Sequence, residues 1–282
     1  MAPRRLPHKP HPLGVRLARL TPPRWLAPLY NAQQLTLDTQ AVPAPAALAG
    51  LRVAYASDVH YGALLGEDRV RDLAARLNAL AADVLILGGD YGEDARTALE
   101  FWRVVPDLHA RLAVCAVLGN HDRAEGAAAA FMEAMTRRGV VPLVNDALFL
   151  SVNGAKLAVC ATDDATYGAP DYAAVAARVR GADYVIYAPH APDALADAYA
   201  AAEPPFFQLA LCGHSHGGQI APFGFALHTS THRGWRYGNH YRSGRIAERG
   251  VTVIVSNGVG TTWLPLRVGA PAQYHLITLG RE

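Results

Sequence analysis

Three cysteines in 282 residues, Cys115, Cys160 and Cys212, stand singly, with no Cys-x-x-Cys pair among them. That excludes a disulfide framework and a zinc knuckle. Each cysteine lies within an apolar run and is predicted to be a small buried core residue. No uninterrupted apolar stretch is long enough to span a bilayer. The apolar h-region of a secretory signal is also missing, although Arg4-Arg5 is reminiscent of a twin-arginine start. No internal repeat stands out and no known nucleic-acid module is present. The net charge of +2 selects no class of partner. The expectation is a cytoplasmic protein.

What is present suits one α/β domain with a lead-in. A hydrophobic content of 51% over this length can bury one large core. Residues 1–49 read as a basic, Pro-rich N-terminal segment and residues 50–282 as the folded domain. Arg4, Arg5, Lys9, Arg16, Arg19 and Arg24 all precede the first acidic residue, Asp38, and are interleaved with Leu13, Val15, Leu17, Leu20, Trp25, Leu26, Leu29 and Tyr30. That alternation suits a segment lying on anionic lipid, peripheral at the inner face of the membrane. A solvated tail that partly packs on the domain is the plainer alternative. Pro22-Pro23 and Pro28 argue against one long helix.

Periodicity predicts helices over residues 67–82, 124–138 and 171–180. Val70, Leu73, Leu77 and Leu80 mark the first, and Arg137-Arg138-Gly139 stops the second. Strand-like runs cover residues 51–57, 84–87, 113–118, 156–161, 184–187, 207–212, 251–256 and 274–279.

Five of those runs lead into polar motifs. They are Asp58-Val59-His60, Gly89-Asp90, Gly119-Asn120-His121-Asp122, His190 within Pro-His-Ala-Pro-Asp, and Gly213-His214-Ser215-His216 followed by Gly217-Gly218-Gln219. Asp58 and His60 alternate, so both can reach one ion from a single loop. Asp90 follows a buried run closed by Gly88-Gly89, which suits a carboxylate held rigidly enough to bridge two cations. Asn120 offers a neutral carbonyl oxygen. In open α/β sheets, sites lie beyond the carboxyl ends of strands, so the repetition puts these residues on one rim. Two divalent cations need hard oxygens and imidazoles gathered in one mouth. Any one motif alone is more often a loop turn, and His109, His228 and His275 read as structural or solvated.

With D-x-H, G-D, G-N-H-D, H and G-H-x-H all in order, the sequence resembles the calcineurin-like metallophosphoesterases over residues 51–279. The resemblance implies an α/β fold of two packed mixed β-sheets flanked by helices, a four-layer α/β/β/α sandwich. It implies two divalent metal ions: manganese first, with iron and zinc accepted by the same donors. One ion would take Asp58, His60, Asp90 and His216, and the other Asp90, Asn120, His190 and His214. His121 matches the catalytic histidine that protonates the leaving oxygen, and Asp122 the carboxylate that orients it. A hydroxide bridging the metals would be the nucleophile, because coordination lowers the pKa of water from 15.7 to about 7. Histidine also suits protonation of a leaving group near neutral pH on its own chemistry.

Gly217-Gly218-Gln219-Ile220, Gly258-Val259-Gly260-Thr261-Thr262 and Pro265-Leu266-Arg267 resemble one membrane-linked branch of that family, the YkuE-like and YaeI-like bacterial proteins. The branch includes a UDP-2,3-diacylglucosamine pyrophosphatase of lipid A synthesis. Asn257 stands where arginine is more usual, and Pro271-Ala272-Gln273 where Pro-Pro-Glu is. The implied substrate is a phosphate-containing small molecule or a nucleotide-linked lipid. Arg233, Trp235, Arg236, Tyr237, Tyr241 and Arg242 are candidate substrate contacts, since arginine grips phosphate and aromatic rings stack on bases or cover acyl chains. A hairpin with a solvated basic face is the alternative there. Within hydrolysis the alternative is a generic phosphodiesterase or phosphatase of another substrate, and against hydrolysis stands a non-catalytic adaptor that keeps the fold. An adaptor is free to lose ligands, and this chain has kept every one.

Overall fold

The computed structural model describes residues 10–20, 23, 25–26, 34–123, 126–226 and 239–280. In chain order the elements are α1 (Pro12–Ala18), β1 (Thr36–Pro43), β2 (Arg52–Ala56), α2 (Glu67–Ala79), β3 (Val84–Leu87), α3 (Ala95–Val104), β4 (Ala113–Val117), α4 (Asn120–Arg123), α5 (Ala128–Arg137), β5 (Val141–Leu143), β6 (Asp146–Val152) and β7 (Ala155–Ala161). There follow α6 (Tyr172–Arg178), β8 (Tyr184–Tyr187), α7 (Ala194–Ala201), β9 (Leu209–Cys212), β10 (Gly244–Glu248), β11 (Val251–Val255) and β12 (Gln273–Gly280).

The strands make two six-stranded mixed sheets, ordered β1-β12-β2-β3-β4-β5 and β10-β11-β9-β8-β7-β6. In the first, β12 runs antiparallel to β2 while β2, β3, β4 and β5 are parallel. In the second, β7, β8, β9 and β11 are parallel, with β6 and β10 antiparallel at the two edges.

Alternation along each strand builds the layers. Val53, Tyr55, Val84, Ile86, Cys115 and Val117 of the first sheet meet Leu157, Val159, Tyr184, Ile186, Leu209, Leu211 and Ile254 of the second. The opposite side chains, Ala54, Ala56, Leu85, Leu87, Val114 and Ala116, pack under α2, α3 and α5. Val185, Tyr187, Ala210, Cys212 and Val253 do the same beneath α6 and α7. Both faces of the central strands are thus covered, which is why they read as unbroken apolar runs and not as polar–apolar alternation. The four-layer expectation holds.

The expected helices and strands are present with ends shifted by a few residues, and the three cysteines are buried and free. Eight elements are additional: α1, β1, α3, α4, β5, β6, α7 and β10. Residues 36–43, placed in the lead-in by the sequence reading, are strand β1, paired in parallel with β12 over eight positions. Helix α3 is opened by a capping box in which the Asp94 carboxylate accepts from Thr97 N at 2.8 Å and Thr97 Oγ1 accepts from Asp94 N at 3.0 Å. Among the described residues no helix is long and apolar enough to cross a membrane. Ile186 is wholly buried between the sheets. Ile186→Ala is expected to cost about 2–5 kcal/mol, read by chemical denaturation of the cation-free protein; a loss near zero would show that the two sheets do not share this core.

Candidate active site

Every predicted ligand lies just past a strand end, on one rim. Five of the seven hold left-handed backbone: Asp58 (φ 54°), His60 (φ 48°), Asp90 (φ 57°), His214 (φ 65°) and His216 (φ 51°). Such angles are uncommon outside glycine and persist only where the surroundings impose them. Here neighbouring loops do so. Asp58 N donates to Gly89 O, His60 N to Asp90 O, and Gly260 N to Asp58 O. The Asp58 carboxylate in turn accepts from His214 N at 3.0 Å. Gly119 is required by close approach, since a Cβ there would lie 2.1 Å from Asp90 Oδ1.

The side chains converge. Ligand atoms of Asp58, His60 and His216 lie within 4.8 Å of one another, and so do those of Asp90, His190 and His214. A third such group, His60, Asp90 and His121, joins them. His60 Nε2 faces His216 Nε2 at 3.1 Å. Asn120 Oδ1 lies 2.7 Å from His214 Nδ1 and 3.1 Å from His190 Nε2. His190 Nδ1 sits 2.7 Å from the Gly88 carbonyl. A carbonyl only accepts, so Nδ1 carries the proton and Nε2 is the free donor atom.

Electrostatics suit a cation. Burial, then the neighbouring His121, pushes His60 down to about 3. Burial also lowers His214 and His216, leaving neutral imidazoles of the kind metals bind. Burial works to raise the Asp90 carboxyl, but the charges of His190 and His121 prevail and hold it well below the usual range. For His190 burial opposes charge, yet the Asp90 carboxylate wins and holds the imidazole well above its usual range. Four imidazoles, beside two carboxylates and an amide oxygen, fit a divalent ion of the manganese, iron or zinc kind.

Asp122 takes a different place from the expected one. Its carboxylate accepts from Asp90 N (2.7 Å), Gly119 N (2.8 Å) and Tyr91 N (3.1 Å), while His121 Nδ1 is held by the Glu93 carbonyl at 2.9 Å. The orienter of His121 is therefore a backbone oxygen, and Asp122 clamps the loops. Burial, then the Asp90 charge, pushes Asp122 up to about 8 against those three donors.

Of the predicted substrate contacts, Arg233, Trp235, Arg236 and Tyr237 lie outside the described residues. Tyr241 is buried against the second sheet with its hydroxyl on Glu248, and Arg242 Nη1 donates to Gly217 O at 2.8 Å. Both brace the His216 turn and its sheet. Among the lone histidines, His275 is buried on Asp38, and His228 lies outside the described residues.

Sequence reasoning gave no structural role to Arg267, which is fully buried and donates to the carbonyls of His216, Asn257, Gly260 and Ala270. One cation thereby ties the ligand turn at His216 to the loop that backs Asp58. The two departures from the branch pattern meet each other: Gln273 Oε1 accepts from Asn257 N at 2.8 Å.

Donors of this kind on the rim of this double sheet define a metal-dependent hydrolase of phosphoesters. The calcineurin-like phosphoesterase superfamily domain matches residues 51–225, and the chain belongs to that family. It is 28% identical over 262 residues to the uncharacterized metallophosphoesterase YkuE of Bacillus subtilis, covering 91% of this chain and 88% of that one. An uncharacterized metallophosphoesterase of Aquifex aeolicus is 26% identical, with 88% and 91% covered. Among solved structures, the phosphopantetheinyl hydrolase PptH of Mycobacterium tuberculosis superposes with a TM-score of 0.47 at 14% identity, over 79% of this chain and 98% of that one.

Loading manganese at pH 7 is expected to release about one proton from His190, because a raised pKa leaves the cation-free imidazole protonated and ligation displaces that proton. Affinity should therefore rise with pH. Calorimetric titration in two buffers of different ionisation enthalpy reads the release; identical heats in both would refute it.

Proposed function

We propose that this family hydrolase is dinuclear and cleaves a phosphodiester or pyrophosphate bond. The observation that carries the reading is the Asp90 carboxylate, whose Oδ2 lies 3.6 Å from His60 Nε2 and 3.3 Å from His190 Nε2. One side chain thus serves both donor groups. Asp58, His60, Asp90 and His216 would hold one ion, and Asp90, Asn120, His190 and His214 the other, with manganese the first choice. Divalent ions held there neutralise charge on the phosphoryl oxygens and acidify a water molecule.

The protein's own part is orientation and proton delivery. His121 packs edge-on against His60 with ring centroids 4.7 Å apart. Its Nδ1–H donates to the Glu93 carbonyl, which leaves Nε2 to meet the leaving oxygen as acid. Asp90 Oδ1 accepts from His121 N at 2.9 Å, so the shared ligand and the acid are fixed relative to each other.

The substrate we favour is a nucleotide-linked lipid, UDP-2,3-diacylglucosamine, cleaved to lipid X and UMP in lipid A synthesis. Support comes from the Gly217-Gly218-Gln219 and Pro265-Leu266-Arg267 motifs and a basic N-terminal segment suited to a membrane surface at its inner face. With manganese present, UMP release from that lipid is expected and should fall at least about a hundredfold in His121→Ala with metal content intact. Turnover of bis-p-nitrophenyl phosphate alone would keep the reaction and dismiss the lipid. Asp90→Ala is expected to lose at least one ion by elemental analysis, and two retained ions would end the bridging role.

A further inference from the structure

Eight large apolar side chains stand exposed among the described residues, and seven of them fall in three segments beside the active-site mouth. Leu13, Leu20 and Trp25 belong to the N-terminal stretch that carries α1. Ile220, Phe223 and Phe225 belong to the turn after Gln219, and Trp263 to the loop between Thr262 and Leu264. Phe223 is 100% exposed, Trp25 77% and Phe225 71%. Scattered single apolar residues need no explanation, whereas seven on three stretches of chain that touch one another do.

The three segments are in contact. A Cβ on Gly14 of α1 would lie 2.0 Å from the Trp263 carbonyl oxygen, so helix and loop touch backbone to backbone. The Gln219 side chain donates to Thr262 O at 2.9 Å and to Leu264 O at 3.2 Å, and accepts from Thr262 N at 2.8 Å. Ile220 bridges to Val268. The same assembly borders the site: Pro10, Thr261, Thr262 and Trp263 line a cavity of about 10 Å³ with His60 and His121.

Two of the aromatics are held at a cost. Phe223 (φ 56°) and Trp263 (φ 64°) have left-handed backbone, which bulky side chains rarely adopt. Residues held in such backbone cluster at ligand clamps and switch regions.

We propose that these segments form a membrane-docking collar that seats the active-site mouth on an anionic lipid surface. Charge selects that occupant. Arg16 and Arg19 are exposed on and just after α1, and no Asp or Glu precedes Asp38. Apolar wedges flanked by arginine, with tryptophan among them, match the depth profile of a bilayer interface. No described helix can cross the bilayer, so the contact is one of lying on the surface. The proposal extends the phosphohydrolase reading by adding two loops inside the domain to the N-terminal segment. It stands apart from the choice of substrate.

The test uses the full chain and vesicles of phosphatidylcholine with or without phosphatidylglycerol. Flotation with phosphatidylglycerol vesicles is expected, weakening with salt, and absent on phosphatidylcholine alone. Phe223→Ser/Phe225→Ser and Arg16→Glu/Arg19→Glu should each weaken binding about tenfold or more, while the Phe pair leaves turnover of a soluble diester unchanged. Brominated lipid should quench tryptophan emission in the native chain, and Trp263→Phe should remove part of that quenching. Absence of flotation, equal binding to both vesicles, or unaltered binding by the Phe pair would overturn the collar. So would a dimer in light scattering that the Phe pair converts to monomer, which would give the surface to a second copy. Loss of soluble-diester turnover in the native chain would instead count against the phosphohydrolase reading and leave the collar standing.

Discussion

The carboxylate of Asp122 is the constraint on which the site rests. Strands end abruptly at this rim, and the residues that follow expose backbone donors that need partners away from water. Asp122 collects three of them, from Asp90, Tyr91 and Gly119, and so joins the exits of β3 and β4 at one point. With those exits fixed, Asp90 can point its two oxygens in different directions, one toward the His121 backbone and one toward the imidazoles. Burying a carboxylate without such donors is costly. The same side chain therefore satisfies the loops with both of its oxygens.

A second level of support lies behind the ligands. Arg267 does for the His216 side what Asp122 does for the Asp90 side, with the signs reversed: a buried donor surrounded by carbonyl oxygens. The two together explain how left-handed backbone at five ligand positions is sustained. Neither group need touch substrate to matter, because each fixes the geometry of the residues proposed to hold the metals. Next to Arg267 the Gln273 amide oxygen accepts from the Asn257 backbone N–H, while the Asn257 side-chain amide donates to the Pro271 carbonyl, so both side chains close the same stretch of chain.

The ligands were legible in the sequence because each follows an apolar run that could only be a doubly covered strand. Asp90 after Val-Leu-Ile-Leu and His190 after Tyr-Val-Ile-Tyr are the clearest cases. The order of layers was legible for the same reason. Strand β1 was not: it is an edge strand with mostly solvent-facing side chains, and its pairing is with residues more than two hundred positions away. The role of Arg267 was hidden likewise, since its partners are carbonyls brought together only by folding. Glu93 acts through its main-chain oxygen, for which side-chain identity gives no signal. Asp122 was placed by resemblance on the histidine beside it in sequence, where the structure gives it to three backbone donors in two loops.

The placement of β12 has a consequence for how the molecule is made. It lies between β1 and β2, so the earliest strands of the first sheet acquire their shared neighbour only when residues 273–280 have been synthesised. Residues 257–260, which back Asp58, and Arg267, which anchors them, also arrive late in the chain. A nascent chain that has already produced every ligand through His216 still lacks the strand and the buried cation that hold the Asp58 side in shape. The Asp58 side of the rim is thus completed only by a long-range closure, when β12 pairs with strands more than two hundred positions earlier in the chain.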